Sequence, residues 1–136
     1  IIMINKKQFK EFMDKNYPEF NFLCSESSWG HNLHIMDKEG KSYSRLYWYY
    51  DDGKVGYIEG LFVEQTDRHK GLGKKNMEVL ESISKELGFK RIFLRVDNDR
   101  AEKWYKDLGY HFTDYDEDKN YKWYCKHLFE DETDII

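Results

Sequence analysis

Proline occurs once and cysteine twice in the 136 residues, and no run of apolar residues is long. Cys24 and Cys125 lie far apart with no metal-type spacing around either, which favours reduced, structural thiols in a cytosolic protein over a single disulfide. No apolar stretch approaches the ~20 residues of a membrane span. Ile1 to Ile4 is too short for the apolar core of a signal peptide and is followed by charge, so neither a membrane segment nor a signal peptide is expected, and the location implied is cytoplasmic. A basic excess is lacking as well. With a net charge of −4 the chain has no broad cationic face with which to neutralise phosphates, which argues against a general nucleic-acid binder. The five histidines show no ligand pattern such as H-E-x-x-H, so no metal is expected.

What is present is a chain long enough for one domain with an ordinary hydrophobic core, spanning residues 1–136. Asn5 suits the N-cap of a helix over Lys6 to Lys15, with Phe9, Phe12 and Met13 on one stripe and Tyr17-Pro18 ending it. Phe20 to Cys24 reads as a short strand and Ser25 to Gly30 as a loop. Leu33 to Met36, Tyr43 to Tyr50 and Val55 to Val63 follow as a three-strand meander, turned at Lys38-Glu39-Gly40 and Asp51-Asp52-Gly53. A helix over Lys74 to Leu87 presents Met77, Leu80, Ile83, Ser84 and Leu87 on one face and stops at Gly88. A buried strand, Arg91 to Val96, precedes a second helix near Asp99 to Leu108, and the tail forms a hairpin of Tyr110 to Tyr115 with Tyr121 to Leu128. The sum is an α/β (α+β mixed) domain with a strand-helix-strand crossover in its middle.

Chemistry concentrates at that crossover. Leu61, Phe62 and Val63 end a β-favouring run, and from Arg68 the chain reads Arg-His-Lys-Gly-Leu-Gly-Lys-Lys into a helix. A helix start carries unpaired N–H groups and the positive end of the helix dipole, and glycines at 71 and 73 let an anion approach the backbone. Arg68, Lys70, Lys74 and Lys75 add positive charge. The stretch is not a Walker loop, because Arg68 stands where its first glycine belongs and Lys75 where its hydroxyl belongs. Nor is it a dinucleotide fingerprint, because Asn76 replaces the third glycine.

Arg68-His69-Lys70-Gly71-Leu72-Gly73 resembles the R/Q-x-x-G-x-G/A pyrophosphate loop of the GNAT superfamily of acyl-CoA-dependent N-acyltransferases. A second segment, Asn98, Ala101, Tyr105, Gly109 and Tyr110, is similar to that family's N-x-x-A-x-x-x-Y-x-x-x-G-F signature, with Tyr110 in place of Phe. The resemblance covers roughly Leu33 to Leu128 and implies a central, mostly antiparallel, splayed mixed sheet flanked by helices. It further implies that acetyl-CoA (coenzyme A) binds with its pyrophosphate on the backbone of Arg68, His69, Lys70, Gly71, Leu72 and Gly73, beside Lys74. Its pantetheine arm would lie along Leu61, Phe62 and Val63, with Asn98 touching the arm and Tyr105 protonating the departing thiolate.

Residue chemistry runs in parallel. An amine must lose a proton to attack a thioester, and Glu59, four residues before Val63, is the candidate base. On a regular strand Tyr57, Glu59, Leu61 and Val63 share one face, whereas a bulge at Gly60 resets that parity. Without the motif, Tyr105 reads as a packing aromatic, Asn98 as an N-cap and Glu59 as a solvated strand residue.

The expected activity is acetyl transfer to a primary amine by direct attack in a ternary complex, since neither cysteine falls in a site element. The negative balance leans towards a small cationic amine such as a polyamine or aminoglycoside. A protein lysine or N-terminal amine is the alternative acceptor, and a non-catalytic acyl-CoA-binding module is the alternative of another class. Monomer and homodimer are both open.

Overall fold

A computed structural model describes residues 6–51, 54–63 and 71–129. Asn5, Asp52-Gly53 and Arg68 to Lys70 lie outside the described residues. The elements run α1 (Lys6–Asn16), β1 (Phe20–Glu26), β2 (Gly30–Asp37), β3 (Ser42–Tyr49), β4 (Val55–Val63), α2 (Leu72–Glu86), β5 (Arg91–Val96), α3 (Asp99–Asp107), β6 (His111–Asp116) and β7 (Tyr121–His127). Seven strands form one sheet in the order β1-β2-β3-β4-β5-β7-β6. Every pairing is antiparallel except β4 with β5, the two strands joined by the α2 crossover.

Two expected boundaries move. β1 continues to Glu26 and β2 starts at Gly30, so the stretch expected to be a loop over Ser25 to Gly30 shrinks to Ser27–Trp29. The cause is register: Ser25 pairs Asn32 and Glu26 pairs His31, and ladder hydrogen bonds hold these polar residues in strand against their turn propensity. A Cβ on Gly30 would fall 2.0 Å from the Trp48 carbonyl oxygen, so only glycine lets the two backbones approach there. Helix α2 starts at Leu72 rather than at the expected Lys74, directly after Gly71.

Cross-strand partners share a face, so the register divides the sheet into two. One face carries Phe20, Phe22, Leu33, Ile35, Leu46, Trp48, Ile58, Ile92, Leu94 and Tyr124. All three helices lie on it. Phe9 of α1 meets Phe22, Met77, Val79, Leu80 and Ile83 of α2 fill the centre, and α3 sits over β5 and β7. The other face carries Tyr43, Arg45, Tyr47, Tyr57, Glu59, Phe93, Arg95 and Trp123, and no described helix covers it. The alternation in Ser42-Tyr43-Ser44-Arg45-Leu46-Tyr47-Trp48-Tyr49, buried at every even position, is the period-2 signature of that division.

Gly60 interrupts the alternation in β4. Arg45 pairs with Glu59 and Ser44 with Leu61, which leaves Gly60 as an extra residue with φ +70. Tyr57 and Glu59 therefore face the open side, while Leu61 and Val63, opposite Ser44 and Ser42, face the helices. The regular-strand expectation, with all four on one face, does not hold.

Helix α2 is anchored by a buried polar cluster rather than by apolar contact alone. Ser44 Oγ donates to Asn76 Oδ1 at 2.8 Å, and Asn76 Nδ2 donates to Ser42 Oγ at 2.6 Å and to the Leu72 carbonyl at 3.2 Å. Asp37 Oδ1 accepts from both the Ser42 hydroxyl and its backbone N–H, so Ser42, Ser44 and Asn76 each have a partner.

Two outcomes follow for stability. A Cβ on Gly60 meets nothing within 4 Å, so Gly60→Ala carries only the left-handed backbone cost and should lower unfolding free energy by ~1–2 kcal/mol in denaturant titrations. Burial pushes Tyr47 up from 10.0 to about 12, burial and then the Glu102 hydrogen bond do the same for Tyr124, and burial followed by the Glu81 carboxylate raises Tyr110 further. Their folded values exceed the unfolded value, so this stability is complete below pH 10 and is lost as pH rises through about 12. Denaturant midpoints that hold to pH 10 and then fall, in step with tyrosinate absorbance, are the expected result.

Candidate active site

The parallel pairing of β4 with β5 runs from Val55 opposite Arg91 to Ile58 opposite Leu94 and then stops. Beyond it β4 keeps its ladder with β3 as far as Val63, so its other edge, towards β5, has lost its ladder partner. The two central strands therefore part after Ile58, as the splayed sheet of the sequence-based expectation requires.

A cavity of about 930 Å³ opens where they part. Leu61, Phe62 and Val63 line it from β4, Gly71, Leu72, Gly73 and Lys74 from the start of α2, and Asn98, Arg100, Ala101, Trp104 and Tyr105 from α3. Three groups of candidate residues far apart in the sequence thus meet in one cleft. Arg68, His69 and Lys70 lie outside the described residues, so only the second half of the glycine loop is placed here.

The start of α2 has the features of an anion site. Gly71 occupies the N-cap with φ 85, a left-handed conformation that disfavours side chains, and no side chain caps the helix. The first intrahelical bond joins the Lys75 N–H to the Gly71 carbonyl, so the N–H groups of Leu72, Gly73 and Lys74 precede the ladder. A Cβ on Gly73 would stand 3.5 Å from Trp104 and 3.6 Å from Leu61, ordinary contact that the protein itself tolerates. The glycine is therefore not demanded by protein packing. Lys74 lines the cavity, whereas Lys75 does not: its ammonium lies over the Tyr17 ring at 5.4 Å and near Glu78 and Glu19 at 3.7 and 3.9 Å.

Helix α3 brings Tyr105 to the same cleft. Asn98 caps the helix, its Oδ1 accepting from the Ala101 N–H at 2.8 Å, and it also lines the cavity. None of α3's nine residues is fully buried; Ala101, Trp104 and Tyr105 pack partly buried against the core, and polar contacts with β7 add to them. Glu102 accepts from Tyr124 and from Lys122, and Lys126 donates to the Leu108 carbonyl and to Glu81, each at 2.8 Å. Lys126 thereby supplies a cation to the helix C-terminus. The hydrogen bond from Tyr124 and then that from Lys122 hold Glu102 below the usual carboxylate range. Tyr105 packs edge-on against Trp104 and Tyr110, burial pushes its phenol up to about 12, and its hydroxyl has no hydrogen bond among the described residues. It is a neutral donor at physiological pH.

Glu59 lies on the opposite face, one residue past the last β4–β5 pair. Its carboxylate is engaged by Arg45, and Arg95 stands 3.7 Å away. Both guanidiniums also lie over rings, Arg45 over Tyr47 at 5.6 Å and Arg95 over Tyr121 at 5.3 Å. These arginines, Trp104, Arg100 and the Asn76 anchor were not singled out from sequence. Strand parity could have exposed Arg45 and Arg95, but nothing local marks Asn76 as a tether to β3.

Comparison with known proteins agrees with this geometry. The acetyltransferase (GNAT) family model matches residues 4–110, starting well before the expected Leu33. An acetyltransferase of Bacillus cereus is 19% identical, with a TM-score of 0.59 over 93% of this chain and 96% of its own. A GNAT family acetyltransferase of Elizabethkingia anophelis, solved with acetyl-CoA bound, is 11% identical with a TM-score of 0.62 over 80% of this chain and 98% of that one. The PaiA N-acetyltransferase of Thermoplasma acidophilum, solved with coenzyme A, is 17% identical with a TM-score of 0.61 over 90% and 69%. Identities at this level speak for the fold, and the family match spans most of the sequence. The chain belongs to the acetyltransferase (GNAT) family of acyl-CoA-dependent acyltransferases.

Proposed function

We propose that this protein transfers an acetyl group from acetyl-CoA to a primary amine by direct attack in a ternary complex. The observation that carries the proposal is the cleft that joins the uncapped start of α2 to Tyr105 at the parting of β4 and β5. Leu72, Gly73 and Lys74 offer N–H groups to the pyrophosphate, with Lys74 adding charge. Past its ladder with β5, β4 offers backbone groups at Leu61 to Val63 to the pantetheine arm, and Asn98 faces it from the start of α3. Arg68, His69 and Lys70 complete the loop in this reading.

In the proposed reaction the amine nitrogen attacks the thioester carbonyl from the open face. A C–N bond forms, the C–S bond breaks, and the proton of the amine passes to Glu59 directly or through one water. Tyr105 donates a hydrogen bond to the sulfur as negative charge develops there. A phenol near 12 does not surrender its proton outright to a thiolate whose conjugate acid lies near ~8.5. Its contribution is therefore stabilisation of the departing thiolate. Arg45 and Arg95 hold the Glu59 carboxylate at the junction.

The overall charge of −4 supports a small cationic acceptor, but the groups around Glu59 do not, since two guanidiniums flank one carboxylate. A second reading, acetylation of a protein lysine or N-terminal amine, is favoured by the open face: no described helix encloses the sheet around Tyr47, Tyr57 and Glu59, which leaves room for a large acceptor.

Release of free thiol from acetyl-CoA, followed with a panel of small amines and lysine peptides, tests the proposal. Tyr105→Phe should lower kcat by on the order of a hundredfold while leaving CoA affinity unchanged. An unaltered kcat would reduce Tyr105 to packing. Tight CoA binding with no turnover of any amine would favour a non-catalytic acyl-CoA-binding module.

A further inference from the structure

Strand pairing at the far end of the open face assembles a set of side chains that no linear spacing displays. His111 in β6 is the cross-strand partner of Cys125 in β7, and His127, two residues on from Cys125, projects to the same face. One ligand atom from each, an imidazole nitrogen from either histidine and the Cys125 sulfur, lies within 4.8 Å of the others. The imidazoles stack with centroids 5.4 Å apart and planes 16° from parallel. Cys125 is buried beneath them and both histidines are exposed, so the thiol forms the floor of a site that is open to solvent.

We propose that His111, Cys125 and His127 form a zinc site with three protein ligands and a fourth position open to water. Zinc takes imidazole nitrogen at ~2.0–2.1 Å and thiolate sulfur at ~2.3 Å, which puts tetrahedral ligand atoms roughly 3.3–3.7 Å apart. The ligand atoms, now within 4.8 Å of one another, must approach by roughly an ångström to close on the ion. Two imidazoles and a thiolate select a borderline-soft cation over magnesium or calcium, which seek oxygen. On binding, the Cys125 thiol releases its proton to solvent as the Zn–S bond forms, so the metal and thiolate together add a single positive charge. Arg91, the partner of His127 on β5, is the cation this charge must coexist with, and the thiolate offsets half of the metal's charge.

The location suggests what the metal does. His111 opens β6 and His127 closes β7, so the site clasps the end of the hairpin opposite its turn, where the chain leaves α3 through Gly109 and Tyr110. β6 is an edge strand, held by β7 alone. A metal shared by the two strands fixes that edge and the exit of the helix that carries Tyr105. The site lies past Trp123 on β7, on the side away from Glu59, and takes no part in the proposed acyl transfer.

The test is metal titration of reduced, chelator-stripped full-length protein. One equivalent of Co²⁺ should bind with a thiolate-to-metal charge-transfer band, and Zn²⁺ should displace it and raise the Tm. His111→Gln and His127→Gln should each weaken Zn²⁺ binding by more than ~10-fold, measured against a competing chromophoric chelator. Cys125→Ser should abolish the charge-transfer band, and Cys24→Ser should preserve it. Because Cys125 is buried, the two exposed histidine variants decide the matter if Cys125→Ser fails to fold. Binding below one equivalent, affinities unchanged in both histidine variants, or a band that disappears with Cys24→Ser would overturn the proposal.

Discussion

One extra residue in β4 determines what the centre of this protein can present to its two sides. An unbroken strand would send Glu59 and Leu61 to the same face. Gly60, at φ +70 and opposite no partner, turns the strand by one position, so Glu59 stays with Arg45 and Arg95 on the open face while Leu61 and Val63 turn towards α2 and α3. In the same few residues β4 loses its ladder with β5. The change of face and the gap between the strands coincide, and in the proposed reaction that gap is the opening between an acyl group on the helix side and an amine on the other.

The helices that frame the gap are fixed by different physics. Helix α2 buries Met77, Val79, Leu80 and Ile83, but its rotation about its own axis is set by Asn76 bridging Ser42 and Ser44. A slip of that helix would strand several buried polar groups, each at a cost of ~1–3 kcal/mol. Helix α3 buries no residue fully; it combines the partial burial of Ala101, Trp104 and Tyr105 with the hydrogen bonds of Glu102 to Tyr124 and Lys122 and with Lys126 at its C-terminus. The uncapped N–H groups of α2 and the hydroxyl of Tyr105 are thus held from opposite sides of one cleft by contacts that all lead back to the sheet.

Much of this was legible in the sequence because it depends on local chemistry. The Gly71-Leu72-Gly73 turn, the apolar period of Met77, Leu80 and Ile83, the uninterrupted Arg91 to Val96 strand and the Asn98 cap all carry their signals within a few residues. The family resemblance joined the two halves of the cleft before any pairing was known. What was not legible depends on register. The true extent of β1 and β2 rests on Glu26 finding His31, the facing of Glu59 on a single unpaired glycine, and the role of Asn76 on serines more than thirty positions away. The His111, Cys125 and His127 cluster is of the same kind, since only the β6–β7 pairing brings it together.

In the proposed function acetyl-CoA lies on the helix side of the Gly60 bulge while the amine arrives from the other. Backbone amide shifts of isotope-labelled protein titrated with CoA test it most directly. The largest changes are expected at Gly71 to Lys74, at Leu61 and Val63 and along α3, with Tyr43, Arg45 and Tyr47 responding little until an amine is added. Changes centred on the open face of β3, with Leu72 to Lys74 unmoved by CoA, would contradict it.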